Sequence, residues 1–284
     1  AAEEIEVAYH LGCASYKQTP LVDPGWVKPG PESAEQGWSV AYFDNPDMLG
    51  EPVTTKISRR SELVWGDGDV VGMTQESFSL RMQGSFTPPD TGAYTFGLIT
   101  TGPSRLYVDG RQIVDNWTNW EGGGEGFFGM GNPEATGEIE LRGGQMYEVR
   151  IEYSKQEMGL AGIRVGVLPP LDADALDQAA ALAASSDVPI LCVGLGSEWE
   201  SEGFDRPDMD LPAEQVELIE AVSAANPNTV VVLNTGSPIR MPWLDRVGAV
   251  VQAWYPGQES GHALADVLFG DVNPSGRLPV TFPR

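Results

Sequence analysis

The hydropathy period of this chain changes near Leu171, and that change limits the fold more than any single motif. Before it, apolar residues alternate with polar ones in short runs: WSVAYF, SFSLRMQGSF, GAYTFGLIT, SRLYVDGRQIV, TGEIEL and YEVRIEYS. A period of two belongs to strands that bury one face. Turn signals separate the runs, among them Pro88-Pro89-Asp90-Thr91-Gly92 and Asp109-Gly110. The second is the two-residue hairpin type. This stretch is expected to be an antiparallel sandwich or barrel.

After Leu171 the texture is different. Asp172 can cap a helix carrying Leu176, Ala179, Ala180 and Ala183 on one face. The continuous apolar run Val188 to Val193 reads as a buried strand, bounded by Ser185-Ser186-Asp187 and by glycines. Pro212, at a first helical position, opens a helix with Val216, Ile219 and Val222. Thr229 to Asn234 and Gly248 to Trp254 are further strands, GHALADVLF is a helix, and Leu278 to Phe282 is expected as a last strand. Helices alternating with continuous apolar strands predict a parallel sheet covered on both faces. Residues 1–34, with a strand candidate at Ile5 to Leu11, cannot fold alone. They are assigned as the first segment of the α/β domain, followed by the β insert at 35–168 and the main α/β part at 169–284. The fold class expected is therefore α/β, a mostly parallel sheet flanked by helices and interrupted by an inserted antiparallel β-sandwich or barrel. Insertion at a surface loop is topologically cheap.

Composition narrows the partners. The chain carries 41 acidic and 17 basic residues, a net charge of -24. Such a surface repels nucleic acid and anionic lipid, so neither is expected as a partner, whereas neutral substrates such as sugars remain open. There is no membrane-length apolar span and no signal peptide. The two cysteines, Cys13 and Cys192, sit in apolar, strand-like contexts and are expected as buried thiols rather than a disulfide. His10 and His262 are isolated, so neither a metal nor a cofactor is expected. The chain opens without Met and stops at Pro283-Arg284, as a piece of a longer polypeptide would. Compartment, cytoplasmic or secreted, and oligomeric state, homo-oligomer included, stay open.

Chemistry concentrates after the Val188 strand. Glu198, Glu200, Glu202, Asp205, Asp208 and Asp210 fall within thirteen residues, with Arg206 the only cation among them. Crowded carboxylates must be solvated, paired, or held protonated with a raised pKa, and a carboxyl kept protonated near neutral pH is what a general acid needs. In an open α/β sheet, ligands collect beyond the carboxyl ends of the strands. Three segments are placed there: Ser197 to Arg206, Thr235-Gly236-Ser237-Pro238, and Trp254 to Glu259. Carboxylates, an arginine and aromatic faces suit a sugar. An ion pair and a helix cap would equally account for Asp205, Arg206 and Asp208, and core packing for Trp254 and Tyr255.

The order EGFDRPDMDLP, NTVVVLNTGSPIRMPWLD and VVQAWYPGQESGHALADVLFGDVNPSGRLPVTFP resembles the C-terminal α/β sandwich domain of family 3 glycoside hydrolases, the β-glucosidase family. The insert, through GSFTPPDTGAYTFGL, RLYVDGRQIVDNW and GEIELRGGQMYEVRIEY, resembles the protective-antigen-type (PA14) sandwich found within that domain in some members. The resemblance implies retaining hydrolysis, with an Asp nucleophile on a (β/α)8 barrel and a Glu from the α/β sandwich as acid/base. The family's EG(Y/F)DR motif points to Glu202, which immediately precedes the glycine; Glu200 is the competing choice, because loop length varies in the family. No barrel is present in these residues, so the missing (β/α)8 segment is the expected partner, a β-glucoside or oligosaccharide the expected substrate, and this segment alone is expected to be inactive. In relatives, the loop corresponding to Asn116–Gly129 overhangs the active-site mouth, which makes Trp120, Glu125, Phe127 and Phe128 candidate substrate contacts. Two other readings stand beside this one: a non-catalytic glycan-binding module on an α/β scaffold, and a β-glucosidase acting on glycosylated antibiotics.

Overall fold

The computed structural model describes residues 5–66, 77–124, 126–156, 159–202 and 205–284. The chain divides into two compact units, Gln18–Pro170 and Ala1–Lys17 with Leu171–Arg284.

The first unit is all β. Its strands are β1 (Val27–Lys28), β2 (Trp38–Phe43), β3 (Thr54–Ser58), β4 (Glu62–Trp65), β5 (Phe78–Phe86), β6 (Gly92–Thr100), β7 (Ser104–Val108), β8 (Arg111–Asn116), β9 (Ala135–Leu141), β10 (Tyr147–Lys155) and β11 (Ala161–Leu168). One sheet runs β3-β2-β5-β10-β7-β8, with β1 also on β5; the other runs β4-β11-β6-β9. Register explains the alternation. Ile151 lies opposite Met82 on one side and Leu106 on the other, and all three are fully buried. Phe86 meets Tyr94 and Phe96 edge-to-face at 6.1 and 5.7 Å between centroids, the arrangement that ring quadrupoles favour. At the β7–β8 turn both Asp109 and Gly110 have positive φ, 47° and 75°, as the expected two-residue hairpin requires.

One residue to the other side of the pleat, Glu152 points away from that core yet is only 3% exposed. Arg105 Nε donates to it at 2.7 Å, Arg150 Nη1 at 2.5 Å and Arg81 Nε at 3.4 Å. A buried charge persists where paired groups surround it.

The second unit contains α1 (Ala175–Ser185), β12 (Ile190–Gly194), α2 (Ala213–Ala225), β13 (Val230–Asn234), β14 (Ala249–Gln252) and α3 (Ser260–Phe269). The strands form one parallel sheet in the order β12-β13-β14. Ala179 and Ala183 of α1 pack on Leu218 and Val222 of α2. Small residues on one helix let the larger ones of the other seat closely. Trp243, Ile219, Val231 and Leu233 form the other cluster of this unit.

Four expectations change. Among the described residues the sheets are mostly antiparallel, because the sandwich holds eleven of the fourteen strands. Residues 18–34 run with the sandwich: Leu21 bridges Gly166, and Val27 and Lys28 pair with Phe86 and Ser85. Ile5–Leu11 and Leu278–Phe282 adopt no strand; apolar character alone does not make a strand without a ladder partner. Both cysteines are free, but neither is buried: Cys13 is half-buried and Cys192 is exposed, on the edge strand β12.

Candidate active site

Parallel pairing puts the carboxyl ends of β12, β13 and β14 side by side. Leu195 N donates to Asn234 O at 3.0 Å, and Ala253 N to Leu233 O at 2.8 Å. Gln215 of α2 brackets the end of β12, accepting from Gly194 N and donating to Gly194 O, both at 2.9 Å. Gln252 Nε2 of β14 reaches back to Thr235 O at 2.8 Å. The three loops thus leave the sheet from fixed stems.

They meet again at Glu200. Trp199 N and Glu200 N both donate to Gly196 O, at 2.9 and 3.0 Å, so the chain turns tightly after β12. That turn aims the Glu200 carboxylate at the other two loops. Oε2 accepts from Gly236 N at 2.7 Å and from Tyr255 OH at 2.5 Å. Oε1 accepts from Ser237 Oγ and lies 3.5 Å from Arg206 Nε. Burial alone would raise the Glu200 pKa, yet the donations from Ser237, Tyr255 and Gly236 and the charge of Arg206 outweigh it and hold the carboxyl below its usual range. Tyr255 is pushed the other way, up to about 12, by desolvation and then by its bond to that carboxylate. Gly236 leaves the room this needs: a Cβ there would stand 2.7 Å from Tyr255 Cε2.

The rest of the carboxylate run is distributed. Glu198 Oε2 accepts the Lys17 N–H at 3.0 Å. Asp208 Oδ1 accepts from Asp210 N at 2.9 Å, and Asp210 pairs with Arg240, whose Nε lies 2.7 Å from Oδ1. Arg206 Nη2 donates to Pro238 O at 2.7 Å, tying its own loop to the one after β13. Asp205 is exposed, and so is Glu202. Within two residues the loop therefore presents one carboxylate saturated with donors and one open to solvent.

On the sandwich, the segment after β8 is built on a buried polar base. Asn132 Oδ1 accepts from Thr100 N at 2.6 Å, and its Nδ2 donates to Leu98 O at 3.1 Å. Asn116 Nδ2 donates to Ser104 Oγ at 3.0 Å. Trp120 is engaged as a strut, its Nε1 donating to Thr100 O at 3.1 Å. Phe127 is half-buried against Gly162, where a Cβ would come within 2.6 Å of the ring. Phe128 is 91% exposed. Both phenylalanines hold left-handed backbone, φ 53° and 59°, a conformation that costs non-glycine residues and is kept where surroundings over-determine it. Glu125 lies outside the described residues. Trp117, by contrast, stacks under Arg105, 4.6 Å from guanidinium carbon to ring centroid.

A cavity of about 1100 Å³ also lies in the α/β unit, lined by Val193, Leu233, Trp254, Leu264, Val267 and Phe282 among others. Its wall is mostly apolar, with Asn234, Gln252 and Arg277 among the polar side chains that line it, and includes neither Glu200 nor Glu202. Among the described residues no three His, Cys, Asp or Glu side chains group as metal ligands, and no helix is long and apolar enough to cross a membrane.

A sequence model of the glycosyl hydrolase family 3 C-terminal domain matches residues 30–284. The chain belongs to that family. A β-glucosidase of Rhizobium radiobacter is 46% identical over 251 residues, 87% of this chain and 31% of its own length. A probable β-glucosidase J of Emericella nidulans is 39% identical over 98% of this chain and 34% of its own. The crystal structure of the β-glucosidase of Kluyveromyces marxianus in complex with glucose superposes with a TM-score of 0.89 at 37% identity, covering 98% of this chain and 35% of that one. The family 3 chain described here thus spans about a third of the length of these relatives.

What sequence reasoning missed is the convergence. Ser197–Arg206, Thr235–Pro238 and Trp254–Glu259 were each placed at strand ends, but nothing in their spacing says that Gly236, Ser237 and Tyr255 all donate to Glu200. The available signal was the glycine at 236, which a tyrosine close to it requires.

Proposed function

We propose that this chain is the part of a retaining β-glucosidase that supplies the general acid/base, Glu202, while a nucleophile-bearing (β/α)8 barrel is contributed by another part of the complete protein. The family membership and the β-glucosidase relatives support the reaction class. The observation that carries the residue assignment is the contrast at the β12 loop: Glu200 is filled with donors and held ionised, whereas Glu202, immediately before the glycine of EGFDR, keeps an exposed carboxyl. A group that must give and then take a proton needs a free oxygen facing substrate.

The chemistry runs in two steps. The barrel carboxylate forms a bond to the anomeric carbon as the bond to the glycosidic oxygen breaks, and Glu202 gives its proton to that leaving oxygen. Glu202, now a carboxylate, takes a proton from water as the water oxygen attacks the same carbon and frees the nucleophile. The proton count closes with Glu202 protonated again.

The sandwich is read as a protective-antigen-type insert. Its loop would meet the leaving group or a second sugar through Phe128, whose ring stands in solvent on strained backbone, with Trp120 tied to Thr100 O and Phe127 seated against Gly162 on the same segment. Glu125 remains a candidate contact on the same loop. The substrate is a β-glucoside or short oligosaccharide, a class that includes antibiotics carrying a glucosyl group.

The test is Glu202→Ala in the complete reading frame. Hydrolysis of unactivated glucosides should fall by about 10²–10⁴-fold, the contribution typical of a positioned acid/base, and azide should restore turnover of an activated aryl glucoside with formation of β-glucosyl azide. Full activity in that variant would remove the assignment.

A further inference from the structure

We propose that Glu200 is the positioning residue for the acid: its carboxylate fastens the three strand-end loops together so that Glu202 is presented from a fixed support, and it does not itself carry the transferred proton. This rests on the reading of Glu202 as the acid/base.

The argument is geometric. The loop carrying Glu202 leaves β12, whose neighbour in the sheet holds it as far as Leu195, whose N–H donates to Asn234 O. Beyond that the backbone makes one tight turn at Gly196 and then runs out toward solvent. Trp199 packs on the core cluster and Glu198 accepts from Lys17 N, which anchor the start of the loop to its own unit. Glu200 ties the same segment to the other two strand-end loops. Its side chain is 12% exposed, and its two oxygens are shared between Gly236 and Ser237 after β13 and Tyr255 after β14, with Arg206 from the far side of the same loop. Arg206 completes a ring by donating to Pro238 O. Hydrogen bonds to a charged acceptor are roughly twice as strong as neutral ones. Three hydrogen-bond donors and the Arg206 charge on one carboxylate make a junction that an amide or a smaller acid at this position cannot reproduce.

Saturation also argues against a proton-transfer role. With three hydrogen bonds and the Arg206 guanidinium on its two oxygens, Glu200 would have to displace one of those partners to take up a proton. The depressed pKa of Glu200 agrees with this.

Placing the support two residues before the acid has a kinetic consequence. A shift of about 1 Å at a reacting group costs on the order of 10²-fold even when the chemistry itself is intact. Loss of Glu200 should therefore act through Glu202, and most strongly where the leaving group needs a proton.

The experiment uses the complete enzyme with Glu200→Gln, Glu200→Ala, Tyr255→Phe and Glu202→Ala, assayed on an aryl glucoside with an activated leaving group and on cellobiose. In both Glu200 variants kcat/KM on cellobiose is expected to drop by about 10–100-fold, with a smaller loss on the activated substrate, the alkaline limb of the pH profile retained, and no glucosyl azide formed. Tyr255→Phe, which keeps the carboxylate and removes one donor, should show the same leaving-group pattern at smaller amplitude. Glucosyl azide and a lost alkaline limb in Glu200→Ala would make Glu200 the acid/base and overturn the proposal. So would equal losses on the two substrates, or wild-type rates in Glu200→Ala. If Glu202→Ala forms glucosyl azide in any of those cases, the reading of Glu202 survives and only the support role fails; if Glu202→Ala is unimpaired, the reading itself falls.

Discussion

Gly236→Ala is the sharpest way to perturb the junction without touching a titratable group. Gly236 does not occupy the left-handed region, so alanine brings no backbone strain, only its methyl. That methyl would stand 2.7 Å from Tyr255 Cε2, 3.4 Å from Cδ2 and 3.3 Å from Glu200 Oε2. Carbon atoms in contact sit about 3.5–4.0 Å apart, so the ring must retreat by about 1 Å. Tyr255 is half exposed and can swing outward, which keeps the overpacking cost near the low end of about 1–3 kcal/mol. The retreat takes its hydroxyl from 2.5 Å to beyond hydrogen-bond range of Glu200. Tyr255, held up to about 12 by desolvation and that carboxylate, should then ionise nearer the ordinary value of about 10. Tyr153, also raised to about 12 but buried in the sandwich beside Thr101, is an internal reference that must not move. The difference in tyrosinate absorbance against pH between variant and wild type isolates the tyrosine that moves from the other seven. Because the folded pKa of Tyr255 lies above the unfolded one, its stabilisation is complete below about pH 10 and is lost as pH rises toward about 12. The variant should show an earlier tyrosinate step and a flatter alkaline fall in melting temperature. A titration superimposable on the wild type, in a variant with a lowered melting temperature, would refute the junction: it would mean the methyl is absorbed elsewhere and Tyr255 never depended on Gly236.

The remaining expectations concern the same chain. Glu152→Ala should cost about 3 kcal/mol in urea unfolding, the lower end for a broken buried pair because Arg81, Arg105 and Arg150 keep roughly a third of their side chains in water; a loss under about 0.5 kcal/mol would mean the arginines hold one another apart unaided. Glu200 has a depressed folded pKa, so its stabilisation is present above the unfolded carboxylate range near 4.3 and lost as pH falls below it; Glu200→Gln should flatten that acid limb in thermal melts, and an unchanged limb would place the effect elsewhere. Phe128→Gly should raise stability by up to about 1 kcal/mol by relieving left-handed backbone at an exposed residue, while weakening discrimination among aglycones in the complete enzyme; destabilisation in calorimetry would show that the ring packs.

The sequence carried the period of each element better than its partners. The alternation in SFSLRMQGSF and YEVRIEYS yielded strands whose inward residues, Leu80, Met82, Val149 and Ile151, are fully buried. The strands and helices between Ala175 and Phe269 were placed to within a few residues. Ile5–Leu11 and Leu278–Phe282 were not, because an apolar run says that a segment wants burial and not what will bury it. Residues 18–34 were assigned to the wrong neighbour for a related reason: Val27 is completely buried through pairing with Phe86, a contact 59 positions away that no local pattern announces. At the site, the loops were legible and the wiring was not. The EG(Y/F)DR motif singled out Glu202 over Glu200, but nothing in WESEGFDR says that Glu200 takes hydrogen bonds from two other loops.

That wiring resolves the problem posed by so many carboxylates on one loop. Six acids with one arginine between them would repel, yet the chain does not answer by protonating them together. Four are given separate donor sets: a backbone amide for Glu198, three loops for Glu200, Arg240 for Asp210, a turn for Asp208. Glu202 and Asp205 are left facing water. Neutralising neighbours one by one lowers the field at the loop tip without filling the tip itself. An acid/base needs just that combination, fixed surroundings and an unfilled carboxyl, and a saturated glutamate two residues upstream provides the first while leaving the second free. On the proposed assignment the two glutamates have different roles, so in the complete enzyme Glu200→Gln and Glu202→Gln should differ in how their kcat/KM loss depends on the leaving group, and equal losses on an activated aryl glucoside and on cellobiose in both variants would refute the split.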